Sequence, residues 1–312
     1  MPPRILFAAH AQRWAQYEAP LRAALAEAGI EARLDCDLSD PGSVDYIIFA
    51  PAGDVEDFTP FTNARMVQNL WAGVEGVVGN PTLNIPLTRM VDTGLTEGMV
   101  EWCTGHVLRH HLGMDQMLAA QDGIWRHFEF IPPLARDRRV TVLGLGALGA
   151  AVCASLVGLN FQVRGWSRRP KSLPGVESFH GDNLHAALEG AEIVILLLPY
   201  TPATDGILTT DGLDQLAEGA VVLNPGRGGL IDDAALLAAL DRGRVGHATL
   251  DVFRTEPLPP EHPYWSHPKV TVTPHIASET RPSTASRVVV ENIRRAEAGE
   301  PLLHLVDRSA GY

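Results

Sequence analysis

Residues 140–149 read VTVLGLGALG, an apolar run that leads into three glycines with the spacing G-x-G-x-x-G. Val140–Leu143 is typical of a buried strand, and Ala147–Leu156 is typical of a buried helix. The glycine pattern is a weak signal alone, but it gains weight between a strand and a helix. The stretch therefore predicts the strand, turn and helix of a dinucleotide-binding unit.

Each glycine has a predicted task in that turn. Gly144 permits the tight turn, Gly146 lets the backbone approach a pyrophosphate, and Gly149 lets the helix pack on the strand. The start of the helix offers free N–H groups to the anion. The alternative is a structural turn that binds no ligand.

The same region raises a second alternative, a membrane span. The 20 residues from Val140 to Leu159 carry no charge. Glycines interrupt this stretch, and the polar Thr141 and Ser155 lower its hydrophobicity. We therefore favour a strand, a turn and a helix over a membrane span. The short, weakly basic stretch Met1–His10 is not expected to be a signal peptide.

Further strand-like and helix-like segments extend outward from this turn. Leu21–Ala28 and Thr96–Leu112 have helical spacing, and Ser283–Ala298 is typical of a last helix. Apolar runs occur at Arg4–Ala9, Val44–Ala50, Val67–Leu70, Phe161–Trp166, Ile193–Leu198, Ala220–Leu223, Ala248–Phe253 and Val270–Thr273. Alternating strands and helices predict an α/β protein whose parallel sheets are covered on both faces.

The strand after the glycine-rich turn ends without the acidic residue that usually binds the ribose of NAD. Ser167 lies at that position and is followed by Arg168, Arg169 and Lys171. Three cations without a carboxylate suit the 2′-phosphate of NADP, so NADPH is the predicted cofactor. A solvated basic loop is the alternative.

Three late strands each lead into an ionisable residue, namely Arg227, Glu256 and His275. Ligands of open parallel sheets bind beyond the carboxyl ends of the strands, so these side chains are expected to converge there. Carbonyl reduction needs a proton donor, for which His275 is suited, and a cation such as Arg227 for a substrate carboxylate. Glu256 could pair with the imidazolium. The alternative is that they are unrelated surface charges and an ordinary histidine.

The composition restricts the partners and the compartment. The chain has 312 residues, enough for about two domains, and a formal net charge of -12. An acidic chain suits nucleic acid poorly, so no nucleic-acid or membrane partner is expected. Cys36, Cys103 and Cys153 form neither a disulfide framework nor a metal motif, so we expect a cytoplasmic protein without a metal site.

The sequence resembles the D-2-hydroxyacid dehydrogenases over essentially its whole length. The matching stretches are Leu143–Gly149, Leu198–Thr204, Asn224–Gly228, Asp251–Pro259 and Thr273–Ala277. It looks closest to the glyoxylate/hydroxypyruvate reductase A branch of that family. That closer likeness rests on Trp166–Arg168, Lys171–Ser172, Pro174–Val176, Val306–Arg308 and Gly311–Tyr312.

The resemblance implies roles for individual residues. Arg227, Glu256 and His275 would be the catalytic residues, and the backbone N–H groups of Gly73 and Val74 would bind the substrate carboxylate together with Arg227. Besides the glycines and the basic loop, the predicted cofactor contacts are Ala147, Leu148, Leu198, Pro199, Thr204, Pro225, Gly226, Asp251 and Ala277.

The resemblance also implies the architecture, two Rossmann-like doubly wound parallel-sheet domains with an interdomain cleft. Residues 1–98 with 283–312 would form the substrate domain, and residues 99–282 the dinucleotide-binding domain. Trp125 and its neighbours match the dimer arm of relatives, so a homodimer is expected.

Three functions remain open from the sequence. The leading one is NADPH-dependent reduction of small 2-oxoacids, such as glyoxylate and hydroxypyruvate, to 2-hydroxyacids. The second is an NAD-dependent dehydrogenase of another 2-hydroxyacid. The third is a cofactor-sensing, corepressor-like binding protein, against which the intact Arg227, Glu256 and His275 argue.

Overall fold

The computed structural model describes residues 2–51 and 53–312. The chain forms two compact units, one made of the residues up to Leu95 together with Glu279–Tyr312, and the other of Thr96–Ser278. Both junctions lie a few residues before the predicted ones, at 98/99 and 282/283. Each unit is built around its own parallel sheet.

Strands and helices alternate along most of the chain. The described strands are β1 (Arg4–Ala8), β2 (Arg33–Asp35), β3 (Tyr46–Phe49), β4 (Met66–Asn69), β5 (Leu87–Thr88), β6 (Arg139–Leu143), β7 (Gln162–Ser167), β8 (Val176–His180), β9 (Ile193–Leu196), β10 (Ala220–Asn224), β11 (Val245–Leu250) and β12 (Val270–Val272). The described helices are α1 (Ala11–Glu27), α2 (Thr93–His111), α3 (Met114–Ala119), α4 (Ala147–Gly158), α5 (Leu184–Leu188), α6 (Thr210–Gln215), α7 (Asp233–Asp241) and α8 (Pro282–Ala298).

The sheet of the first unit has the strand order β2-β1-β3-β4-β5. The strands β1, β3, β4 and β5 are buried along their whole length, which explains the apolar runs of β1 and β3. On one face, Phe7 and Ile48 belong to a core cluster with Tyr17 of α1 and Val289 of α8. On the other face, Ile47 packs with residues of the loops that follow β3 and β4.

The sheet of the second unit has the order β12-β11-β10-β9-β6-β7-β8, and its adjacent strands are parallel. Val142 of β6 packs on the α4 side of the sheet, and Leu143 packs on the side of α6 and α7. The strand order reverses between β6 and β9, which is the point where doubly wound sheets bind their ligands. Both parallel α/β units confirm the predicted fold class.

The uncharged stretch from Val140 to Leu159, for which a membrane span was the alternative, contains most of β6, the glycine-rich turn and α4. None of the described helices combines the length and the apolar character that crossing a bilayer requires.

Candidate active site

The candidate active site contains a contact between an imidazole and a carboxylate. Glu256 lies in the loop after β11, and His275 lies three residues after the end of β12. The Nδ1 atom of His275 lies 2.7 Å from Oε2 of Glu256. The other carboxylate oxygen of Glu256 accepts a hydrogen bond from the N–H of Phe253 at 2.8 Å. The carboxylate is therefore oriented toward the imidazole by its own loop.

The backbone at His275 has a special conformation, with φ of 55° in the left-handed region. The buried carboxylate of Asp251 stabilises this turn. It accepts hydrogen bonds from Thr273 Oγ1 at 2.6 Å and from the N–H groups of Ile276 and Ala277 at 2.9 Å each. Asp251 thus holds the backbone on both sides of His275. The sequence indicated Asp251 only as a cofactor contact, a role that stays a prediction.

Arg227 follows the adjacent strand β10. Asn224, the last residue of that strand, donates from Nδ2 to the Arg227 carbonyl at 3.0 Å and accepts from the N–H of Gly226 at 3.2 Å. Because β10 pairs with β11 and β11 with β12 in parallel, the segments that carry Arg227, Glu256 and His275 leave the same edge of the sheet. The sequence alone did not indicate this anchoring role of Asn224.

The glycine-rich turn has a shape that fits a dinucleotide. Gly144 has φ of +107°, and a Cβ atom at Gly149 would lie only 1.8 Å from the Gly144 carbonyl oxygen. Both positions therefore exclude larger residues. A Cβ atom at Gly146 would meet no atom of a described residue within 4 Å, so the turn is open there. The helix α4 starts directly after it, at Ala147, and its first N–H groups include those of Ala147 and Leu148.

The basic loop after β7 lies beside this turn. Lys171 donates a hydrogen bond from Nζ to the carbonyl of Leu145, and the Ser167 hydroxyl donates to the Arg169 carbonyl at 2.8 Å. Arg168 and Arg169 are exposed. No carboxylate occurs from Ser167 to Lys171, and these residues fit a 2′-phosphate better than two ribose hydroxyls.

Other predicted cofactor residues follow β9, which neighbours β6, and β10, which is the next strand beyond β9. The Leu197 N–H donates to the Leu143 carbonyl at 2.7 Å, which joins the start of the loop after β9 to the end of β6. Within that loop, Thr204 donates from Oγ1 to the Pro199 carbonyl at 2.7 Å. A Cβ atom at Gly226 would lie 2.7 Å from the Leu196 carbonyl oxygen, so the loop after β10 packs closely against the end of β9. Leu198, Pro199, Thr204, Pro225 and Gly226 thus lie near the switch point.

Gly73 and Val74 lie in the first unit, in the loop after β4. The side chain of Asn69 donates to the carbonyl groups of Trp71 at 3.0 Å and of Gly73 at 2.7 Å. The N–H groups of Gly73 and Val74 make no hydrogen bond to any residue of the two described ranges. Asn69 thus fixes the carbonyl side of this loop and leaves two adjacent N–H groups for another acceptor.

No group of three or more potential metal ligands occurs among the described side chains.

Comparison with known proteins identifies the family. Residues 104–277, more than half of the chain, match the model of the D-isomer specific 2-hydroxyacid dehydrogenase, NAD binding domain. A glyoxylate/hydroxypyruvate reductase A from Yersinia enterocolitica is 42% identical over 253 residues, which cover 78% of this chain and 80% of that protein.

Solved structures agree with that match. A D-isomer specific 2-hydroxyacid dehydrogenase from Xanthobacter autotrophicus Py2, in complex with NADPH and MES, is 40% identical, with a TM-score of 0.91 and full coverage of both chains. An NADPH-dependent glyoxylate/hydroxypyruvate reductase from Sinorhizobium meliloti, in complex with NADP and sulfate, is 33% identical, with a TM-score of 0.86 over 100% of this chain and 99% of that one. These matches confirm the resemblance and the class of NAD(P)-dependent enzyme predicted from the sequence, and the chain belongs to the D-isomer specific 2-hydroxyacid dehydrogenase family.

Proposed function

We propose that this chain uses NADPH to reduce small 2-oxoacids, glyoxylate and hydroxypyruvate, to the corresponding 2-hydroxyacids. The observation that carries the proposal is the 2.7 Å contact between His275 Nδ1 and Glu256 Oε2 at the carboxyl edge of a doubly wound sheet. The relatives from Yersinia enterocolitica and Sinorhizobium meliloti support the choice of substrates and of cofactor.

The proposed reaction joins a hydride to the carbonyl carbon and a proton to the carbonyl oxygen. Bound NADPH supplies the hydride and leaves as NADP⁺. His275 supplies the proton from Nε2, because its Nδ1 faces Glu256. Nε2 makes no hydrogen bond to a described residue, and more than half of the side chain is exposed. The Glu256 carboxylate stabilises the charged imidazolium, and solvent returns the proton after each turnover.

Substrate binding is assigned to a cation and two backbone donors. Arg227 would hold the substrate carboxylate through its planar guanidinium. The N–H groups of Gly73 and Val74, which have no acceptor among the described residues, would donate to the same carboxylate. Small 2-oxoacids share this carboxylate next to the carbonyl, which explains why one set of donors serves several of them.

The cofactor assignment rests on the basic loop and the glycine-rich turn. The open face at Gly146 and the start of α4 suit the pyrophosphate. Ser167, Arg168 and Arg169 suit a 2′-phosphate, because phosphate prefers guanidinium donors and no carboxylate repels it there.

The exposed apolar segment before β6 supports a homodimer. Trp125 is 88% exposed, and Phe128 and Ile131 are 78% and 70% exposed. A contiguous set of exposed large apolar side chains is typical of an interaction surface, and a second copy of the chain is the proposed occupant. The cytoplasmic location stays a proposal, with which the free cysteines agree. Sedimentation of the wild type and of Trp125→Ser tests the dimer.

One assay tests the proposed function. Purified protein is mixed with glyoxylate or hydroxypyruvate and with either NADPH or NADH, and the loss of reduced cofactor is followed. We expect turnover with both substrates and a higher kcat/KM with NADPH. A preference for NADH and another 2-oxoacid would favour the second alternative. Tight NADPH binding without turnover of any 2-oxoacid would favour a cofactor-sensing protein.

A further inference from the structure

The side chain of Arg254 joins the loop after β11 to the loop after β10. Its Nη2 atom donates to the carbonyl oxygens of Gly229 at 3.1 Å and Ile231 at 2.9 Å, and its Nε donates to Ile231 at 3.2 Å. Gly229 follows Arg227 by two positions, and Arg254 precedes Glu256 by two positions. One guanidinium therefore connects the two loops that carry these proposed catalytic residues.

A third loop takes part in the same contact. Arg254 Nη1 lies 3.0 Å from Oδ1 of Asp205, which belongs to the loop after β9. The next residue, Gly206, donates from its N–H to the Gly229 carbonyl at 2.7 Å. The carbonyl of Gly229 is thus an acceptor for both neighbouring loops.

The backbones of these loops are in direct contact. A Cβ atom at Gly228 would lie 1.9 Å from the carbonyl carbon of Phe253 and 2.3 Å from the backbone nitrogen of Arg254. A Cβ atom at Gly229 would lie 2.3 Å from the ring of Tyr200. The absence of space between the loops means that a small shift of one loop moves the next one.

The ion pair itself is a weak source of stability. The side chains of Arg254 and Asp205 are 38% and 48% exposed, and exposed ion pairs contribute little to the free energy of unfolding. The guanidinium nevertheless satisfies two backbone carbonyls next to the site. Its main effect is therefore expected on the geometry of the loops rather than on the stability of the fold.

We propose that Arg254 is a positioning residue that holds the Arg227 loop against the Glu256 loop, and so sets where Arg227 lies relative to the His275–Glu256 pair. The proposal rests on the proposed function. Reactive groups that are misplaced by about 1 Å can lose on the order of 100-fold in rate, so the attachment has a measurable consequence.

The first experiment compares Arg254→Met with the wild type in the glyoxylate assay. We expect kcat/KM for glyoxylate to fall about 10- to 100-fold, while the Kd of NADPH stays within about twofold. Arg254→Lys should recover only part of the loss, because one ammonium cannot reach both carbonyls and Asp205 with the planar geometry of a guanidinium. An unchanged kcat/KM in Arg254→Met would overturn the proposal.

The matched control is Arg242→Met. Arg242 forms an ion pair with Asp214 whose side chains are 39% and 48% exposed, nearly the same values as for Arg254 and Asp205. This pair lies in the same unit, where it joins the end of α7 to Asp214 of α6 and to none of the three loops. Arg242→Met should therefore keep the wild-type kcat/KM, and an equal loss in both variants would show a general effect of losing an exposed arginine.

A double-variant test separates positioning from a merely structural role. Arg254 is proposed to act through the position of Arg227, so Arg254→Met should lower kcat/KM by less than about threefold in an Arg227→Ala background. The same fold-loss in both backgrounds would contradict the proposed action through Arg227.

Hydrogen exchange gives a readout that does not need activity. Amide exchange in peptides that span residues 226–231 should be faster in Arg254→Met than in the wild type or in Arg242→Met. If the wild type does not reduce any 2-oxoacid, the proposed function fails, and this exchange measurement still tests the attachment. Equal exchange in all three proteins would overturn the attachment even in an active enzyme.

Discussion

The backbone of His275 is held by Asp251. The N–H of His275 donates to the Asp251 carbonyl at 2.8 Å, and the Asp251 carboxylate binds the N–H groups of the next two residues, Ile276 and Ala277. The loop after β11 therefore supplies both the carboxylate that contacts the imidazole and the anchor for the turn that carries it. The position of His275, the proposed proton donor, thus depends on the residues at the end of β11.

Replacement of Asp251 by Asn should damage both activity and stability. An amide has one oxygen and an NH₂ group, so it cannot accept from Thr273 Oγ1 and from both backbone N–H groups at once. A buried donor left without a partner costs about 1–3 kcal/mol, which should appear in denaturant unfolding, together with a lower kcat. Thr273→Val is the milder control, since it removes a single donor. A wild-type kcat in Asp251→Asn would show that the turn does not need this anchor.

Removal of the proposed proton donor should slow the chemical step. His275→Ala should lower kcat by about 10²- to 10⁴-fold, the usual contribution of general acid catalysis, while the Kd of NADPH stays near that of the wild type. Single-turnover kinetics and a fluorescence titration measure the two quantities. Near-normal turnover in this variant would mean that another group supplies the proton.

Replacement of Glu256 by Gln should lower the turnover of reduction. The proposed role of the carboxylate, which lies 2.7 Å from the imidazole of His275, is to orient the ring and to stabilise its charge during proton transfer. The amide has nearly the same shape but lacks the charge, so kcat should fall on the order of 10-fold or more while the Kd of NADPH stays near that of the wild type. A wild-type kcat in Glu256→Gln would contradict the coupling between these two residues.

Two residues of the basic loop should affect cofactor binding differently. Arg168→Met should weaken NADPH by about 1–3 kcal/mol and leave NADH nearly unchanged, if Arg168 contacts the 2′-phosphate. Lys171→Met should weaken both cofactors to a similar extent, because Lys171 binds the Leu145 carbonyl of the glycine-rich turn. Isothermal titration with both cofactors measures the difference. Equal losses for NADPH and NADH in Arg168→Met would exclude a contact with the 2′-phosphate.

Acid should destabilise the second unit through two largely buried histidines. Burial, together with the nearby Arg109, lowers the pKa of His110 to about 3 and that of His247 to about 4. Their ring centroids lie 4.8 Å apart at a tilt of 43°, and each ring shares a hydrogen bond with a threonine, Thr249 or Thr271. Between pH 6.5 and about 4 the unfolded chain binds more protons at these positions than the folded chain does.

The free energy of unfolding should therefore fall as the pH decreases through this window. The slope is at most about 1.4 kcal/mol per pH unit for each histidine. Urea unfolding at pH 7, 6 and 5 measures it, and His247→Gln should reduce the slope. The exposed His180→Gln is the control and should keep it. A slope that is the same in wild type and His247→Gln would show that His247 is not responsible.

Local patterns were sufficient to predict the dinucleotide unit. The predicted strand Val140–Leu143 and helix Ala147–Leu156 correspond to β6 and α4 within a few residues. Such elements are readable because their apolar residues, glycines and helix start are close together in the sequence. The contact between Glu256 and His275 followed from topology, since their strands are neighbours in the sheet.

The edge strand β8 and the first half of the helix α1 were not predicted from the sequence. The strand β8 at the sheet edge consists of partly buried and exposed residues and has no apolar run, so it was not predicted. The helix α1 starts at Ala11, ten residues before the predicted start at Leu21, and contains Pro20. Burial of Tyr17 on one side of Pro20 and of Leu21 on the other explains why packing maintains the helix through the proline.

The residue types of the site and its glycine-rich turn were evident from the amino-acid sequence alone, because each depends on neighbours within a few positions. The anchoring of His275 by Asp251, and the attachment of the Arg227 loop by Arg254, became evident only in the folded chain. Their partners are more than 20 residues away in sequence. Such hydrogen bonds depend on how separate loops lie against one another, and no local pattern of polarity or spacing encodes that arrangement.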